Sequence, residues 1–155
     1  MRESRSDWGT TSTSATGALL ADHDPPSDPA AARILVIEDD PDIGDLLREF
    51  LHQEGYEVTM VTTADQAVAS VRAMPSDLIT LDLLLPDADG WSVLERLRLA
   101  GASIPPVVVV SILPESRYGR PLGVVDYLSK PVRGPILRER VARALAQSRS
   151  GERTP

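Results

Sequence analysis

Four short apolar runs in this chain are each followed at once by side chains that could do chemistry. Glu38-Asp39-Asp40 follows Ile34–Ile37, Asp82 follows Leu78–Leu81, Ser111 follows Val107–Val110, and Ser129-Lys130-Pro131 follows Val124–Leu128. If those runs are strands of one parallel sheet, carboxylates, a hydroxyl and an ammonium converge at its carboxyl edge, where such sheets bind ligands. Asp40-Pro41 has the pattern of an N-cap with proline at the first helical position. Capping is expected to occupy Asp40, leaving Glu38, Asp39 and Asp82 for the site. Two carboxylates about 5 Å apart repel by ~3 kcal/mol at an effective dielectric near 20. The single ammonium of Lys130 does not offset three of them. A divalent cation does, and an oxygen-only donor set without His or Cys suits Mg²⁺. A carboxylate beside Mg²⁺, with a hydroxyl and an ammonium ready to bind oxygens, is organised for phosphoryl transfer to Asp82.

The elements that must carry these residues can be traced along the chain. Ile43, Leu46, Leu47, Phe50 and Leu51 recur at helical spacing after Asp40, and Gly55 stops that helix. Val58–Val61 reads as the second strand. Ala64, Ala67, Val68 and Val71 mark a second helical face ending near Pro75. A third helix carries Val93, Leu94 and Leu97 on its apolar face and closes at Gly101. Leu137, Val141 and Leu145 give the last helix its buried stripe. Strands alternating with helices predict an α/β fold, doubly wound, with five parallel strands covered on both faces and joined by right-handed crossovers.

At 155 residues the chain suits one ordinary domain, and the absence of cysteine excludes disulfides, thiolate metal sites and cysteine nucleophiles. A net charge of −7 argues against broad contact with nucleic acid or an anionic membrane. No apolar run approaches the roughly 20 residues of a membrane span, and the N-terminal region lacks the apolar stretch of a secretory signal. A cytoplasmic protein is expected. In residues 1–32, 20 positions are Ser, Thr, Gly, Pro or Ala, so this segment is expected to be a disordered tail, the folded domain to span 33–147, and residues 148–155 to be a flexible end.

The strings ILVIEDDPDI, LITLDLLLPDADGWSVL, VVVVSI and DYLSKPV, in this order, resemble the receiver domain of two-component response regulators, the CheY-like superfamily. The resemblance covers residues 33 to about 147 and implies the strand order 2-1-3-4-5. It implies Asp82 as phosphoacceptor, with Asp39 ligating Mg²⁺ directly, Glu38 acting mainly through bound water, and the backbone carbonyl of Leu84 as a further ligand. Ser111 stands at the switch hydroxyl position, Tyr127 at the aromatic that swings inward, and Lys130 supplies the ammonium before Pro131, which is cis in the family. Asp89-Gly90 stands at the turn that opens the third helix. The phosphodonor would be a histidine kinase or a histidine phosphotransfer protein, and an unnamed protein partner would read the switched face. No output module is visible in the sequence, which reads as a single-domain response regulator. Such a domain catalyses only its own phosphorylation and dephosphorylation and is not otherwise an enzyme.

Each residue alone has an ordinary reading: an acidic cap, a turn aspartate, a Lys-Pro loop, a half-buried tyrosine. Their coincidence at one sheet edge favours the site. Two departures from the family pattern stand out. Ile112 follows Ser111 where a small residue is frequent. The stretch from Ser111 to Lys130 is short, as in receivers of hybrid histidine kinases, and Pro114, Gly119, Pro121 and Gly123 within it predict a single turn or irregular loop in place of the family's fourth helix. Two alternatives remain. One is a pseudo-receiver acting as a phosphorylation-independent interaction module. The other is a phosphatase of the haloacid-dehalogenase type, which wants an aspartate two residues after its nucleophile, where this chain has Leu84.

Overall fold

Side chains on a strand alternate between the two faces of a sheet, and here the alternation sorts the apolar residues into two cores. The computed structural model describes residues 31–115 and 123–152. Its strands are β1 (Arg33–Ile37), β2 (Glu57–Val61), β3 (Leu78–Leu81), β4 (Val107–Ser111) and β5 (Val124–Ser129). The helices described are α1 (Pro41–His52), α2 (Ala64–Ala73), α3 (Gly90–Leu99) and α4 (Gly134–Glu152). All strand pairs are parallel, in the order β2-β1-β3-β4-β5.

Leu35, Ile37, Ile79, Leu81, Val107 and Val109 face one side of the sheet and pack against α2 and α3 through Ala64, Ala67, Val93, Leu94 and Leu97. Ile34, Val36, Leu78, Val108, Val110 and Leu128 face the other side, against Leu47 and Leu51 of α1 and Leu137, Val141 and Leu145 of α4. Double coverage explains why β3 and β4 are apolar at almost every position, whereas the edge strand β2 is only half-buried.

The helix starts are set locally. Asp40 accepts from the backbone N–H of Asp42 at 2.9 Å, with Pro41 as the first helical residue of α1. Thr63 caps α2 through Gln66 N, and Asp89 caps α3 through Ser92 N. Gly101, at φ +74°, ends α3 in the left-handed conformation that glycine adopts most readily.

Two boundaries differ from expectation. Ala32 is buried and its carbonyl accepts from Glu57 N at 2.9 Å, so the folded part includes a residue assigned above to the tail. The last helix continues to Glu152, five residues past 147. The Ser150 hydroxyl donates to the Ala146 carbonyl at 3.0 Å, and no proline interrupts the segment, so a polar sequence prolongs the helix. The loop expected between Pro114 and Pro121 falls largely on residues 116–122, outside the described residues.

Candidate functional site

The carboxyl ends of β1, β3, β4 and β5 place the reactive residues on one edge, and backbone hydrogen bonds carry the ladder just past the strands. Glu38 N donates to Val61 O, Asp82 N to Ile37 O, and Lys130 N to Ser111 O, each at 3.0 Å. The site residues are therefore held by the sheet itself.

Glu38, Asp39 and Asp82 each offer a carboxylate oxygen, and these oxygens lie within 4.8 Å of one another. Glu38 and Asp82 are buried, and Asp39 is exposed. Lys130 Nζ stands 2.7 Å from Glu38 Oε2 and 3.1 Å from Asp82 Oδ2. The other oxygen of Asp82 accepts from Leu84 N at 3.1 Å. Asp40 points elsewhere, into its helix cap. The Lys130–Pro131 peptide bond is cis.

Burial pushes the Glu38 carboxyl up to about 7; the Lys130 ammonium opposes that rise and the Asp82 charge adds to it. Burial alone would lower the Lys130 pKa, but the Glu38 and Asp82 carboxylates beside it prevail and raise it. One ammonium thus leaves the carboxylates under-compensated. Glu38 Oε2 is buried and, although close to Lys130, receives no aligned hydrogen bond. A buried oxygen so placed, in an all-oxygen acidic cluster, fits a hard divalent cation such as Mg²⁺.

Other sequence-derived candidates lie around this centre. Ser111 is fully buried at the end of β4, its Oγ accepting from Leu113 N at 3.2 Å; it shares no hydrogen bond with Asp82 among the described residues. Tyr127 is buried among residues of the α2/α3 core. Leu84 and Ile112 expose their side chains.

One contributor escapes sequence reasoning. Asp87 lies in the loop after β3, yet its carboxylate accepts from Ala64 N at 2.8 Å and Asp65 N at 3.2 Å, at the start of α2. The only local signal is Pro86-Asp87 as a turn, which says nothing of a partner 23 residues away. A cavity of about 620 Å³ lies at the amino ends of β3 and β4, beside Arg72, Asp77, Pro105 and Arg149. It touches none of the acidic cluster, so cavity size does not locate the chemistry.

Comparison with known proteins agrees with the geometry. The response regulator receiver domain family matches residues 34–142. The transcriptional regulatory protein BaeR of Escherichia coli is 38% identical over 108 residues, covering 68% of this chain and 45% of that protein. RpaA of Synechocystis, a DNA-binding dual master transcriptional regulator, is 36% identical over 127 residues, covering 79% of this chain and 52% of that protein. The chain thus spans about half the length of these relatives. Among solved structures, a CheY-like receiver domain from Methanospirillum hungatei superposes with a TM-score of 0.71 at 28% identity, covering 79% of this chain and 99% of its own. A sensor protein from Polaromonas gives 0.70 at 37% identity, covering 76% and 98%.

Proposed function

The chain belongs to the response regulator receiver family, and from that premise we propose that Asp82 accepts a phosphoryl group in a Mg²⁺-dependent reaction and thereby switches the domain. Receivers of this family are phosphoacceptor switch domains that take phosphate from histidine kinases. The observation that carries the assignment is the Lys130 ammonium set between the buried carboxylates of Glu38 and Asp82. Glu38, Asp39 and Asp82 would hold Mg²⁺, with the Leu84 carbonyl as a further oxygen donor. When bound, Mg²⁺ would neutralise charge on the phosphoryl oxygens as they approach the acidic site.

In the reaction, an oxygen of Asp82 bonds to phosphorus while the P–N bond of the donor phosphohistidine breaks, and the released imidazole takes a proton. The transition state is loose, so positioning and charge do most of the catalysis. Lys130 holds the carboxylate in place and then binds a phosphoryl oxygen. Ser111, at the end of β4, supplies its hydroxyl to another. The aspartyl phosphate biases a two-state equilibrium in which Ser111 and Tyr127 shift together, and a partner reads the altered face.

Incubation with Mg²⁺ and acetyl phosphate tests this reading. Intact-mass measurement should show one added phosphoryl group, removable by hydroxylamine. Chelation of Mg²⁺ and Asp82→Asn should each abolish it. Equal labelling of Asp82→Asn would overturn the assignment, and no labelling of the wild type would favour a phosphorylation-independent interaction module.

A further inference from the structure

We propose that Asp87 is a positioning residue for the metal centre, holding the loop that carries Leu84 against the first turn of α2. The inference rests on the reading of Asp82 and Leu84 given above.

Both ends of the loop after β3 are pinned. Leu83 is buried, and its carbonyl accepts from Gly90 N at 2.9 Å. Leu84 and Asp89 face one another in an isolated antiparallel bridge. The outer turn, from Leu85 to Ala88, is a short excursion between those points, and Asp87 is the residue in it that reaches another element by hydrogen bonds. Its two oxygens accept from Ala64 N and Asp65 N. These bonds, that from Ala64 foremost, hold the Asp87 carboxyl below its usual range.

The anchor has a further, solvent-exposed tie to α3. Asp65 pairs with Arg96 of α3 at 2.5 Å, and α3 begins where the loop ends. Loop, α2 and α3 are therefore linked to one another through Asp87, Asp65 and Arg96. Asp87 thus shares the capping of α2, but it does so from the loop after β3. Thr63 caps α2 through Gln66 N at 3.1 Å, while Asp87 satisfies the N–H groups of the buried Ala64 and of Asp65 from a different element. What Asp87 adds is a tie between the helix and the loop beside Asp82. Groups that orient metal ligands commonly change metal affinity by about 10–100-fold when removed.

Calorimetric titration of the full chain with MgCl₂ tests the proposal. Asp87→Ala should weaken Mg²⁺ binding about tenfold. Asp87→Asn, which keeps an acceptor oxygen, should recover part of that affinity. Thr63→Ala is the control: it removes a cap from the same helix start without touching the loop. It should lower thermal stability and leave Mg²⁺ affinity unchanged. Equal Mg²⁺ affinity in Asp87→Ala and wild type would overturn the proposal alone, as would equal weakening by Asp87→Ala and Thr63→Ala, since that pattern means simple helix capping. If Asp87→Ala does not fold, Asp87→Asn carries the test, and wild-type affinity in that variant together with a wild-type melting temperature would overturn the proposal. Absence of Mg²⁺ binding by the wild type would overturn the metal-site reading together with this one.

Discussion

Glu38 buries a carboxylate beside that of Asp82, with the Lys130 ammonium as counter-charge. Its pKa, raised to about 7 chiefly by burial, has a consequence for stability without metal. Between the model-peptide value of 4.5 and about 7 the folded protein binds a proton at Glu38 that the unfolded chain does not. Stability without Mg²⁺ therefore falls as pH rises through that window. Glu38→Gln removes the titrating group, so it should raise the urea midpoint relative to wild type at pH 8, with a smaller gain at pH 5, where Glu38 is already neutral. The same substitution should weaken Mg²⁺ binding by about tenfold or more, because the charge that costs stability in the empty site helps to hold the cation. A pH-independent difference in midpoint would show that Glu38 is not the group that titrates. The residue types at this site were legible because each follows an apolar run. That Lys130 shares the edge with the carboxylates was legible too; that its ammonium stands 2.7 Å from Glu38 was not, since that distance is set by the closed sheet.

At the scale of the elements, Gly90 shows how tightly α3 is set against β3. A Cβ there would lie 2.5 Å from the Asp82 carbonyl oxygen and 2.9 Å from Leu83 Cα, both backbone atoms with little room to move. Alanine has a helix propensity better than glycine by about 1 kcal/mol. Overpacking against a fixed neighbour costs about 1–3 kcal/mol, and at this spacing the clash should prevail. Gly90→Ala is therefore expected to lower the urea midpoint and slow phosphorylation by acetyl phosphate, because the backbone that must yield belongs to Asp82. Wild-type stability in this variant would mean that the loop accommodates a methyl group freely. Sequence pattern located the cap Asp40 because that signal is local, and the family resemblance implied the start of α3 at Asp89-Gly90, whereas the cap Thr63 was not singled out. The pattern did not locate the end of α4, where Ser, Arg and Gln continue a helix without an apolar stripe to mark it. Nor did it reveal Asp87, whose acceptor role depends on where α2 lies in space.

Across the whole molecule, the two cores run from Ala32 to Leu145, and the sheet binds its first strand firmly at the start. Arg33 N donates to Asp77 Oδ2 at 2.7 Å, Asp77 N donates to Arg33 O at 2.7 Å, and the Arg33 side chain pairs with Glu57 at 3.0 Å. The parallel sheet was readable in the sequence because strands covered on both faces must be apolar throughout. Its order was readable only through the family resemblance, since composition alone does not choose between ways of winding the same strands. Residues 1–30 carry no apolar stripe in their sequence, and among the described residues the two cores are built from Ala32 onward. The dependence of stability on denaturant scales with the surface exposed on unfolding. Removal of residues 1–30 should accordingly leave the urea midpoint, the slope and Mg²⁺-dependent labelling of Asp82 unchanged, since Ala32 and the Arg33–Asp77 bonds remain in the shortened chain. A fall in both midpoint and slope would show instead that part of this segment packs on the domain. A fall in midpoint alone would place the loss at the amino end of β1, where the contacts of Ala32 and Arg33 secure the strand that carries Glu38 and Asp39 to the site.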